Sequence, residues 1–202
     1  RLVEDGQGMS LRQLLKKPIF AAAIILMICA GASEMSMAQW ASAFAESALG
    51  LTKSVGDLAG ACLFATTMGI SRMLYGKFGE KIDLIKFMLV SGVICVVSYL
   101  LAGLSAMPIW GLVGCVMCGF SVGIMWPGSI SITAPRIPKG GTALFALLAM
   151  AGDMGGAFGP SVVGYFSQHA GDNLQAGLLT GCIFPLIMLA TLIAMKKMTP
   201  EG

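Results

Sequence analysis

With 202 residues, 56% of them hydrophobic and 11% charged, and a mean hydropathy of +0.84, the chain is too apolar for a water-soluble domain, where about a quarter of residues carry charge. Its apolar residues come in runs of about twenty, longer than a buried core helix needs and long enough at ~1.5 Å per residue to cross the hydrocarbon of a bilayer. The formal charge of +3 is small, and with no basic stripe, phosphate loop or metal-ligand cluster it excludes nucleic-acid binding and metal- or cofactor-dependent chemistry as expectations.

In chain order, a polar lead-in over 1–17 reads as the end of a cytoplasmic central loop of a longer protein, since the chain opens at Arg1 rather than Met. Six apolar runs follow, near 18–44, 55–75, 84–104, 108–133, 142–166 and 175–195, and 196–202 forms a tail. Helices are the expected form, because none of these runs alternates like a barrel strand and open strands would leave backbone groups unpaired in lipid. The fold class expected is an all-α integral membrane bundle of six spans.

The first span carries Glu34, about sixteen residues in and nearer the outer side, flanked at helical spacing by Ala30, Gly31, Ala38 and Ala41. Gln39 and Trp40 follow and offer a hydrogen-bonding and stacking surface for a sugar-like or other polar solute, with an interfacial belt as the other reading of Trp40. The second span holds Gly56 and Gly60, a spacing that lets helices approach closely, and Asp57 near its outer end, where a helix cap is a sufficient role. In the fourth span Gly111, Cys115, Gly119 and Gly123 repeat the small-residue stripe, and Trp126-Pro127-Gly128 interrupts it. The fifth span carries Asp153 near mid-bilayer, among Ala146, Ala149, Gly156, Ala157 and Pro160. A carboxylate at that depth costs roughly 2.5–3.5 kcal/mol on insertion scales unless it is paired or wet. Glu34 and Asp153 are therefore expected to face inward, as proton, ion or substrate contacts or as carboxyls satisfied by a neighbouring helix. The glycine-rich run through Gly155, Gly156, Gly159 and Pro160, and Pro127 in span four, are candidate hinges of a transport path or static kinks.

Basic residues orient the chain. Twelve of the thirteen precede span one, lie about the second–third and fourth–fifth links, or follow span six, and Lys53 alone lies on the other side. That bias places both termini in the cytoplasm of a multi-pass protein of the plasma (inner) membrane. The six cysteines fall inside apolar runs and read as small hydrophobes. Gly119-Phe120-Ser121-Val122-Gly123 fits a nucleophile pattern, yet it sits within a helical run and the single histidine, His169, belongs to an outer link, so an enzyme is not expected.

The link Ser71-Arg72-Met73-Leu74-Tyr75-Gly76-Lys77-Phe78-Gly79-Glu80-Lys81 resembles the basic loop motif of the major facilitator superfamily in its second-half form, matched at Arg72, Gly76, Lys77 and Gly79. Ser71 stands for the usual first glycine, Gly76 where the first-half form has aspartate, and Glu80 for a basic residue. Gly159-Pro160-x-x-x-Gly164 is similar to the family's glycine–proline motif, and Gly31-Ala32-Ser33-Glu34 through Gln39-Trp40 to the seventh helix of sugar-permease-like (fucose-permease-like) members. The resemblance implies a C-terminal six-helix half of two inverted three-helix repeats, partnered by an N-terminal half within the lipid bilayer. It implies a secondary transporter for a small polar solute working by alternating access, with H+ as the coupling ion. Arg72, Gly76, Lys77, Gly79 and Lys81 would form a cytoplasmic gating loop. Glu34, Gln39, Trp40, Trp126 and Asp153 would line the substrate or ion pathway. A six-helix permease subunit of an ATP-driven transporter and an intramembrane serine protease are the alternatives.

Overall fold

The computed structural model describes residues 9–79 and 82–197. The expectations that concern Lys81, residues 1–8 and residues 198–202 lie outside the described residues. The described residues form helices joined by short links, with no strand among them. They form α1 (Leu11–Leu15), α2 (Pro18–Leu49), α3 (Lys53–Phe78), α4 (Leu84–Leu104), α5 (Pro108–Val122), α6 (Met125–Thr133), a 3₁₀ turn over Ala134–Arg136, α7 (Gly141–His169), α8 (Leu174–Gly181) and α9 (Ile183–Lys197). Six units are long and apolar enough to span: α2, α3, α4, α5 with α6, α7, and α8 with α9.

Local chemistry sets the starts. Pro18 and Pro108 occupy first-turn positions where a missing N–H costs nothing, while Asp83 and Asn173 accept backbone N–H groups at the heads of α4 and α8. Several helices outrun the apolar runs that announce them. The first continues to Leu49, the second to Phe78 and the fifth to His169, because a helix satisfies its backbone beyond the hydrocarbon as well as within it. Two expectations change with those bounds. Glu34 falls halfway along α2 rather than toward its outer end. Arg72, Gly76 and Lys77 lie on α3 itself, with Gly79 as its C-cap, and not in a loop.

Three prolines share one arrangement: Pro127, Pro160 and Pro185 each lie four residues after a glycine, at 123, 156 and 181. A proline inside a helix removes the donor for the carbonyl four residues back and crowds that carbonyl, and glycine is the residue whose backbone yields most easily. The chain breaks at Gly123–Ile124 and at Cys182, splitting spans four and six into α5/α6 and α8/α9. Span five does not break: α7 runs through Pro160 without interruption. The expected hinges at Gly155, Gly156, Gly159 and Pro160 are thus residues of a continuous helix, and Pro127 sits in the first turn after a break rather than at it.

The bundle is organised around α2, which packs against α3, α5, α6, α7 and α9. Glycines mediate the closest approaches. A Cβ at Gly31 would collide with the Gly152 carbonyl, at Gly155 with the Ile28 carbonyl, and at Gly159 with Ala32 at 2.7 Å, so α2 and α7 meet backbone to backbone. Gly60 meets Ala41 across α2–α3 and Gly119 meets the Phe64 carbonyl across α3–α5, as the small-residue stripes lead one to expect. Thr67 Oγ1 adds a hydrogen bond to the Val116 carbonyl, and Tyr99 Oη one to the Ser33 carbonyl, at 3.0 and 2.9 Å. The outer face is the inverse of a soluble protein's: Val90, Val93, Val97, Leu100 and Leu104 run down one exposed side of α4, while Met88, Cys95, Tyr99 and Ala102 are buried on the other.

Candidate functional site

A groove of about 430 Å³ opens along the α2–α7 seam where α6 abuts it, lined by Glu34 and Met35 of α2, Trp126 of α6, and Asp153, Gly156 and Ala157 of α7. Close packing creates it. Gly31 and Gly152 hold the two helices together beneath the groove, and Gly152 also admits the Trp126 indole, whose Cζ2 would stand 2.5 Å from a Cβ there. Glu34, Trp126, Asp153 and Gly156, expected separately from sequence, are thereby brought to one place.

Glu34 is the more enclosed acid, its side chain 17% exposed, and its nearest cation is Arg72 of α3, with Nη2 3.8 Å from Oε2. That spacing is an ion pair rather than a hydrogen bond, and Oε2 accepts none from the described residues. The same guanidinium turns to the break in span four: Nε–H donates to the Gly123 carbonyl at 3.3 Å. This is the carbonyl that Pro127 leaves without a helical donor. One side chain thus ties α2, α3 and the α5/α6 break together. Asp153, exposed on the groove wall, makes no hydrogen bond or ion pair with the described residues. No lysine or arginine lines the groove, so Asp153 is the acid there that faces no cation among the described residues. Pro160 also strips the Gly156 carbonyl of its helical donor, leaving a further acceptor on a groove residue.

Other expected site residues stand apart. Gln39 and Trp40 lie five and six positions beyond Glu34, some 140° and 240° around the helix, and neither lines the groove. Gln39 is exposed elsewhere, and Trp40 packs on the core with its Nε1–H buried and unpartnered among the described residues. Lys77 reaches over the ring of Phe78, and Gly76 has open space at its Cβ position. Asp57 is not the cap of α3, because Thr52 occupies the N-cap and Asp57 lies five residues farther on. Ser121 is buried and donates to the Cys118 carbonyl of its own helix, while His169 Nδ1 contacts the Tyr165 carbonyl, so the two form no nucleophile–base pair. Among the cysteines, Cys118 Sγ approaches Cys95 Sγ of α4, at 3.9 Å.

Sequence reasoning missed Arg72 as the partner of Glu34 by assigning it to the link. A signal was present. Glu34 precedes the turn after Leu49 by about as many residues as Arg72 follows it, with a difference of four, and about 6 Å of helical rise is within an arginine's reach.

Six spanning helices with paired small-residue stripes and an acidic groove at bilayer depth define a polytopic membrane protein. A model of the Major Facilitator Superfamily matches residues 22–201, and the chain belongs to that family. It is similar, at 28% identity over 159 residues, to the multi-drug resistance efflux pump PmrA in two strains of Streptococcus pneumoniae, one of serotype 4. The similarity takes in 74% of this chain and 39% of the relatives, so the chain spans well under half the length of the curated relatives it matches.

Proposed function

We propose that this chain is the C-terminal six-helix half of a secondary transporter, in which the groove of Glu34, Trp126 and Asp153 is its contribution to a solute path shared with an N-terminal half. Family membership supports the class, and the convergence of two acids and an indole on one groove at bilayer depth is the observation that carries it. Proton coupling and alternating access follow as chemistry: a carboxyl facing the groove can exchange a proton for a cation or for Arg72, and each state favours a different seating of α3 against α2. Uptake and efflux by the full-length protein in proteoliposomes, carrying Glu34→Gln or Asp153→Asn, is the test. Normal transport by both variants at every pH would remove these carboxyls from the mechanism.

A second reading concerns the cargo. Gln39 and Trp40 lie away from the groove, which weakens a sugar-like surface, while Met35, Trp126 and Ala157 give it a largely apolar wall. Together with the similarity to a multi-drug resistance efflux pump, this favours export of amphipathic solutes over uptake of a sugar-permease substrate. Competition of both solute types for the same proteoliposome flux distinguishes them.

A further inference from the structure

A second hollow, of about 300 Å³ and sharing no lining residue with the groove, lies between the head of α4 and the end of α6. Leu84, Ile85, Ile132 and Pro135 supply apolar walls, and Asp83 and Arg136 supply charge. Leu84 is the first residue of span three and Arg136 the last of span four, so the hollow sits where hydrocarbon gives way to headgroups. Both ends belong to the side that the basic residues mark as cytoplasmic.

The charges in it are unequal in their commitments. Asp83 caps α4 by accepting from the Lys86 N–H at 3.2 Å and pairs with Lys86 Nζ, also at 3.2 Å. Its bond to the Lys86 N–H holds the carboxyl below the ordinary carboxylate range, so it is ionised and already engaged at neutral pH. Arg136 has five N–H donors, and among the described residues one is used, Nη1 to the Ile132 carbonyl at 2.8 Å. Its Nε–H is buried without an acceptor, and no carboxylate of the described residues pairs with it. A half-buried guanidinium with spare donors, set at headgroup depth above apolar walls, lacks an anion.

We propose that this hollow binds the phosphodiester headgroup of an anionic phospholipid, with Arg136 as anchor and the acyl chains laid along Ile85 and Ile132. The walls decide between sources of phosphate, because a free phosphate would leave them wet whereas a lipid covers them. The site is independent of the transport reading and is tested without it.

The test is native mass spectrometry of the full-length protein from nanodiscs of phosphatidylglycerol mixed with phosphatidylcholine. Wild type is expected to retain phosphatidylglycerol selectively, and Arg136→Gln to lose about tenfold in retention with the loss of a charge-assisted contact. Lys139→Gln, which removes a nearby basic residue outside the hollow, is expected to retain it. Ser131→Trp, which obstructs the hollow from an exposed position while keeping the charge, is expected to match Arg136→Gln, and it decides the question if that variant does not fold. Equal retention by wild type and both hollow variants, or equal displacement of the lipid by millimolar glycerol phosphate, overturns the proposal.

Discussion

Arg72 Nε–H donates across the bundle to the Gly123 carbonyl, the acceptor that Pro127 leaves vacant, while its Nη2 faces Glu34. A proline in one span thus accounts for where an arginine of another settles.

Removing that arginine strands both partners. Arg72→Leu is expected to destabilise the protein by about 1–3 kcal/mol, moderated by the 46% exposure of the side chain. Glu34→Gln in the same chain should recover part of the loss by removing the unpaired acid. Thermal unfolding in detergent of the two single variants and the double variant gives the coupling, and strict additivity would mean that the 3.8 Å pair has no energetic content.

Pro127→Ala restores an N–H opposite the Gly123 carbonyl and so competes with Arg72 for it. Slower amide exchange across residues 123–128 and a stability gain of about 1 kcal/mol, read as a higher unfolding temperature, are expected from the backbone hydrogen bond regained. Unchanged exchange would show that the break has another cause.

Glycine positions should divide sharply. Gly155→Ala places a methyl against the Ile28 carbonyl and is expected to cost about 1–3 kcal/mol. Gly164→Ala, on the same helix with open space at its Cβ position, should be neutral or stabilising by up to ~1 kcal/mol. Unfolding midpoints of the two variants side by side make the comparison.

The head of α4 has a definite pH response. Asp83 is held below its ordinary value, so its contribution to stability is complete above that value and declines as pH falls through the lower folded one. A side-chain carbonyl NMR titration of Asp83 should give a midpoint below that of an exposed aspartate, and Lys86→Ala should shift it upward only in part, since the backbone bond is retained.

Composition and run length were enough for the six spans, because the demand that backbone groups be paired in lipid leaves few alternatives. Glu34, Trp126 and Asp153 stood out as polar or aromatic groups in apolar runs, but the run lengths set Glu34 nearer the outer side than Asp153, and only the full length of α2 brings it to mid-helix. What sequence did not yield was azimuth and end point. Gln39 and Trp40 look adjacent to Glu34 along the chain but diverge around the helix, and Arg72, though inside the apolar run that reaches residue 75, passed for a loop residue because it belongs to a motif read as a link. The run from Gly152 to Pro160 read as a weak helix on intrinsic propensity, whereas packing against α2 makes its glycines necessary and keeps it continuous.

At Gly31 and Gly152, and at Gly155 against the Ile28 carbonyl, α2 and α7 are in backbone contact, with Met35 and Ser36 packed beside the contact. A side chain larger than hydrogen at any of these glycines would push the two helices apart, so the seam that carries both acids depends on its glycines. The helix breaks fall instead in the neighbouring spans, at α5/α6 and α8/α9, where the backbone has the ends that a continuous helix lacks.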